Sequence, residues 1–314
     1  MRGLVLCALC AGASALHAAG LELVQGPGST VRASWDGKPV FVYNYDPGAP
    51  KPCVHPFHTP AGREVTLNSP PDHPHHRGLM LAWGNVIIKE GGQDVRIDFW
   101  GEAGAPEGLG RIVHKELTET KTAEDRAWLV TTNEWRRRSD DALLLTERRQ
   151  LTVFRPESER CHLLTWLSEF TAADLDLVIG GTPGRQVSYY GLGLRVPRDM
   201  DGGQFLDAEG RSGAEAVNGQ AARWCAYTSP NEPRRGFAMF DHPDNPRHPT
   251  GWFAMNNPFG YLTASLVARE AYPLPAGERL RLCYGVLAFD GAATPDFLEA
   301  QYRRWLEKQG RAAP

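Results

Sequence analysis

The sequence predicts an all-β fold, a large antiparallel two-sheet sandwich with one C-terminal helix. Three observations carry this reading. Runs rich in β-branched and aromatic residues follow one another across short polar turns. The 33 glycines and 24 prolines are spread along all 314 residues, as short strands joined by turns require. Only one segment has helical periodicity with a signal at each end.

The central strands are the clearest. "AWLVTTNEWRR" (127–137) and "ALLLTERRQLTVFR" (142–155) flank the turn "RRSDD", and "CHLLTWLSEFTA" (161–172) follows the turn "PESER". Consecutive runs with short turns pair as antiparallel hairpins. Alternation puts Leu145, Glu147, Arg149 and Leu151 on one face. Two charges among apolar neighbours mean either a solvated face or a ligand cleft. "KPVFVYNY", "NVIIKEGG" and "RLRLCYGVLAF" supply further strands, and two stacked sheets bury that many. The helix is "TPDFLEAQYRRWLEKQG" (294–310). Thr294 is its N-cap, Pro295 its first turn and Gly310 its stop. Phe297, Leu298, Tyr302, Trp305 and Leu306 form its apolar stripe, expected against the sheet edge or end.

At the start, "MRGLVLCALCAGASALHAAG" has a short positive region, an apolar run and small residues, the pattern of an export signal over 1–19. Residues 20–314 then form one β-sandwich domain, expected in the periplasm or outside the cell. No later run is long and apolar enough for a membrane helix. Net charge is −3 with no Lys/Arg-rich run, so a nucleic-acid partner is not expected. Cys53, Cys161, Cys225 and Cys283 remain after signal removal, with no Cys-x-x-Cys zinc knuckle. Up to two disulfides are open to them; Cys161 and Cys283, in apolar runs, read as buried thiols.

Two stretches carry chemistry. In "NSPPDHPHHRGLMLAWG" (68–84), three of the ten histidines fall within four residues. Prolines stiffen this loop. An extended course puts His73 and His75 on one side and His76 on the other. Such histidines serve as metal ligands, as acid–base groups near neutral pH, or as sugar-gripping donors beside Arg77 and Trp83. A barrel-type metallohydrolase does not fit, because "REVTLNSPPD" is not a buried apolar strand. The second stretch, "GFAMFDHPDNPRHPTGWF" (236–253), again mounts Asp, His, Asn and Arg on a proline-rich loop after a strand. The repeated Asp-His-Pro suggests that both loops meet in one site.

Together with "DFWGE" (98–102), "YYGLGLRV" (189–196) and "NPFGYL" (257–262), these stretches resemble the bacterial DUF6807 family, often labelled "methane oxygenase PmoA". The resemblance covers most of the chain after the signal. The segment "GGTPGRQVSYYGLGLRV" departs from the more acidic one of many members, so no acidic role is carried over there. A methane monooxygenase subunit spans the membrane, and this chain has no such span after its signal. The resemblance implies an exported β-rich protein of carbohydrate catabolism, with a galactose mutarotase-like sandwich as the fold-level analogy.

The expected ligand is a small carbohydrate. His73 or His75 is the expected acid–base group, with Asp72, Asp241, His242 and the in-sheet Glu147 as partners. His76, Arg77, Trp83, Trp100, Arg195, Asn245, Arg247 and His248 are expected to bind substrate. Hydrolysis, elimination and epimerisation stay open, as does a non-catalytic binding protein. No cofactor is expected; if a divalent metal is bound, His73, His75, His242 and His248 are its candidates.

Overall fold

The computed structural model describes residues 20–310. The export signal expected over 1–19 lies outside the described residues. Two eight-stranded antiparallel sheets carry the fold, with a four-stranded sheet beside them. The second large sheet contains the predicted central hairpins: Gly110–Thr122, Arg126–Arg137, Leu143–Phe154, Cys161–Ala172 and Arg279–Asp290 are neighbours in it. The first sheet ends with Leu79–Ala82, Gly191–Arg195, Tyr261–Ser265 and Gly251–Met255, in that order.

The two large sheets share one continuous apolar core. Tyr43, Val54, Leu81 and Leu194 of the first meet Leu129, Leu151, Leu164 and Trp166 of the second. The face predicted from alternation, Leu145 to Leu151, is this core face, so it is neither solvated nor a cleft. Glu147 and Arg149 have fully buried side chains and form a two-bond ion pair at 2.8 Å each. Ser168, Trp135 and Asn133 also bond the Glu147 carboxylate, and Trp166 lies under the guanidinium. Every charge there is answered internally, which is what allows burial.

The helix runs Pro295–Lys308, with Thr294 accepting from the Phe297 amide. It packs on the outer face of the second sheet rather than at an edge. Leu298, Tyr302, Trp305 and Leu306 meet Phe240, Cys283 and Leu287. All four described cysteines are free and buried.

Candidate active-site cleft

The histidine loop is not extended. His73 N–H bonds the Pro70 carbonyl, His76 N–H bonds the His73 carbonyl, and Ser69 N–H closes onto the His76 carbonyl. Pro71 and Pro74 each take the second position of a tight turn, where a fixed φ suits the bend. The turns gather all three rings on one side, against the alternation expected of an extended loop. His73 stacks on His76 at 4.8 Å, and His75 meets His76 edge-on at 4.6 Å. Gly78 then redirects the chain into Leu79–Ala82 at φ +66°; a Cβ there would sit 2.6 Å from the Val54 carbonyl oxygen.

These rings form one wall of a cleft of about 340 Å³. The other walls are aromatic. Trp100 comes from the "DFWGE" loop, Tyr189 from the approach to Gly191–Arg195, Phe253 and Met255 from Gly251–Met255, Pro258 and Phe259 from the next turn, and Tyr261 from the start of Tyr261–Ser265. Sheet order makes them neighbours: Tyr261 is opposite both Arg195 and Met255. Gly193 leaves the room Tyr261 needs, since a Cβ there would meet its hydroxyl at 2.1 Å. Arg185 is the remaining lining residue, and no carboxylate lines the cleft.

Behind the lining sit two charged knots. Asp72 accepts from His73 at 3.0 Å and from Arg195 at 3.2 Å, with Arg198 at 3.4 Å. Desolvation acts to raise its carboxyl, but the His73 bond and the Arg195 charge hold it below the usual range. Glu102 takes Arg77 through both oxygens, at 2.9 and 2.5 Å, and Lys51 at 3.0 Å. Lys51 is buried and also donates to the Trp100 carbonyl at 2.8 Å and the His75 carbonyl at 3.4 Å. The knot therefore ties the histidine loop to the Trp100 loop.

The imidazoles feel this surrounding. Burial, then Lys51 and His73, push His75 down to about 4. Burial, then His75, His73, Arg195 and Lys51, push His76 down to about 2. Both are neutral near pH 7. His76 is 5% exposed and Trp100 3%, and His76 Nδ1 and Trp100 Nε1 have no hydrogen-bond partner among the described residues. Buried polar atoms of this kind carry a cost unless something bonds them.

Of the residues expected at the site, Asp72, His73, His75, His76 and Trp100 come together here. Arg195 stands just behind, 2% exposed, with its guanidinium 3.4 Å from the Phe259 ring centre. Arg77 is spent on Glu102 instead of facing substrate. Trp83 is fully buried against Trp135 and Phe170 and presents no face for stacking. Glu147 lies in the core, as described above.

The second loop does not join the cleft. Phe253 and Met255 line the cleft, whereas the loop precedes the other end of their strand, about 13 Å from Met255 at ~3.3 Å per residue. Asp241 is fully buried and bonds Asn245 at 2.7 Å, His248 at 2.7 Å and the Thr250 amide at 2.8 Å. Burial raises its carboxyl against the pull of His248 and Asn245. His242 packs edge-on against Trp305 of the helix. Arg247 holds the carbonyls of Leu266, Glu270 and Ala271. Asp241 thus orients an imidazole as expected, but that of His248, in a brace under the helix. His242 and His248 stand apart from His73 and His75, so the four do not converge on one ion. Among the described residues no group of three or more His, Cys, Asp or Glu is arranged to hold a metal.

Sequence reasoning gave no role to Glu102, Tyr189, Phe259 or Tyr261. All four lie inside "DFWGE", "YYGLGLRV" and "NPFGYL", the segments that carried the resemblance.

A model of DUF6807, described as a family of unknown function, matches residues 30–303. No curated protein matches the sequence. Among solved structures, a galactose 1-epimerase from Lactobacillus acidophilus NCFM is similar at TM-score 0.45 and 10% identity, over 88% of this chain and all of that one (100%). The galactosidase domain of an alpha-galactosidase-sucrose kinase is similar at TM-score 0.47 and 10% identity, over 86% of this chain but only 42% of that chain. A galactose mutarotase related enzyme from Lactobacillus acidophilus is similar at TM-score 0.38 and 7% identity, over 87% and 98% of the two chains.

Proposed function

The chain belongs to the DUF6807 family, and we propose that its cleft binds a sugar and moves protons on it, with His73 as the acid–base group. One observation carries the reading: three clustered imidazoles face an aromatic-walled cleft that no carboxylate lines. Aromatic faces suit the C–H face of a pyranose, and a few polar atoms then fix its orientation. Trp100 Nε1 and His76 Nδ1 are such atoms, buried and awaiting a partner.

The roles follow from position. His73 is more than one-third exposed, and Asp72 fixes its ring through Nδ1. A carboxylate-oriented imidazole is the usual arrangement for proton transfer. His75, 5.6 Å from His73 and neutral near pH 7, is the second proton acceptor. Glycoside hydrolysis ordinarily uses two carboxyl groups flanking the bond. Here Asp72 and Glu102 stand behind the lining and are held by arginines and Lys51. The cleft favours epimerisation or elimination over hydrolysis.

The test is proton NMR of purified protein with a panel of sugars and glycosides in D2O. Anomer interconversion, solvent deuterium at a ring carbon, or a new alkene signal would report the reaction. His73→Ala should lower the rate by about 10²–10⁴-fold. Sugar binding without any of these signals would assign the cleft to binding alone, and an unchanged rate in His73→Ala would remove that histidine from the chemistry.

A further inference from the structure

The charge around the cleft bears on which sugar enters it, given the sugar-binding reading above. Of its eleven lining residues, Arg185 alone carries a fixed charge. Its side chain is exposed on the turn after Thr182 and has no ion pair or hydrogen bond among the described residues; its backbone N–H bonds the Thr182 carbonyl. Most of the described arginines are tied to a carboxylate or a carbonyl, so an untied one lining the cleft is conspicuous.

The floor has the same sign. Arg195 uses only Nη2, on Asp72, while its Nε and Nη1 are buried without a partner. It lies against Phe259, a wall of the cleft. The two fixed charges that act on His76, Arg195 and Lys51, are both cationic. The orphan Trp100 Nε1 is a donor only, so it too seeks an acceptor. The nearest carboxylates, Asp72 and Glu102, are each held by two cations. A ligand with an apolar ring face and a negative, acceptor-rich end complements this set.

We infer that the sugar carries a carboxylate, as a uronic acid or uronide does, and that Arg185 at the cleft mouth selects it. A guanidinium receives a carboxylate through parallel N–H donors, a match an ammonium or amide does not reproduce.

Titration calorimetry on the whole protein at low salt tests this, using methyl glucuronide and methyl galacturonide against the matching methyl glucoside and methyl galactoside. A uronide should bind at least about tenfold tighter than its neutral partner. Arg185→Ala should collapse that preference to within about twofold, and Arg185→Lys should keep part of it. Equal or tighter binding of the neutral glycosides, or a preference that survives Arg185→Ala, overturns the inference and leaves the sugar reading standing. Displacement of the uronide by acetate at equal concentration also overturns it, because the site would then read charge without a sugar. If neither uronides nor neutral glycosides bind, both readings fall.

Discussion

Two charged residues of one strand show how far alternation reaches. Glu147 and Arg149 sit on the face that the period-two pattern assigns them. Whether that face meets water, ligand or core depends on what packs against it, and the pattern of one strand does not contain this. Their ion pair, with Ser168, Trp135 and Trp166 around it, makes burial tolerable. Breaking a buried pair leaves an uncompensated charge. Glu147→Gln should therefore destabilise the protein by about 3–5 kcal/mol in urea denaturation. The double change Glu147→Leu with Arg149→Met should recover most of that loss, since removing both charges removes the desolvation cost. Ligand affinity of the folded Glu147→Gln protein should match wild type; a selective loss of affinity at full stability would return Glu147 to the site.

At the scale of elements, the cleft is made by loops that strands bring together and a buried lysine fastens. Lys51 reaches the His75 carbonyl, the Trp100 carbonyl and Glu102 at once. Lys51→Met keeps the bulk and removes three bonds. It should cost about 1.5–3 kcal/mol of stability and weaken ligand binding, because the two loops lose their common anchor. A stability loss with unchanged affinity would show that Arg77 and Glu102 suffice as the fastening. The helix offers the contrasting case. Trp305 is fully buried on the outer sheet face, near His242 and remote from the lining. Trp305→Ala should cost about 3–5 kcal/mol while leaving the affinity of the folded protein unaltered. What the sequence shows of these elements follows the same division. The strands and the helix cap are local, so spacing and residue type reveal them, whereas the prolines mark the histidine loop as stiff without showing that it coils into turns. His76, Tyr189 and Tyr261 lie far apart in the chain and meet only because Leu79–Ala82, Gly191–Arg195 and Tyr261–Ser265 are neighbours in the sheet, which spacing does not encode. The second Asp-His-Pro loop misled for the same reason: its local chemistry copies the first, but the sheet puts it under the helix.

Across the whole molecule, burial disfavours the charged form of six histidines, and this shapes the response to acid. Burial is the leading cause that lowers His55, His58, His75, His76, His114 and His162. A lowered value in the folded state means that the unfolded chain takes up protons first as pH falls. Stability from these groups is complete above about 6.5, the ordinary histidine value, and drains away toward the folded values, about 4 for His75 and about 2 for His76. Asp72 and Glu102, held below the usual carboxylate range by their cations, extend the loss to lower pH. Asp241, raised by burial, acts in the opposite sense. For His76 alone, one and a half pH units below 6.5 correspond to about 2 kcal/mol. The urea midpoint should accordingly fall between pH 7 and pH 5. His76→Phe keeps the ring among its aromatic neighbours and removes the titration, so its midpoint should fall less over the same interval, by about the equivalent of 2 kcal/mol. Parallel pH profiles for the two proteins would mean that His76 is not held neutral by the fold, and the picture of a buried, uncharged His76 in the cleft wall would have to be given up.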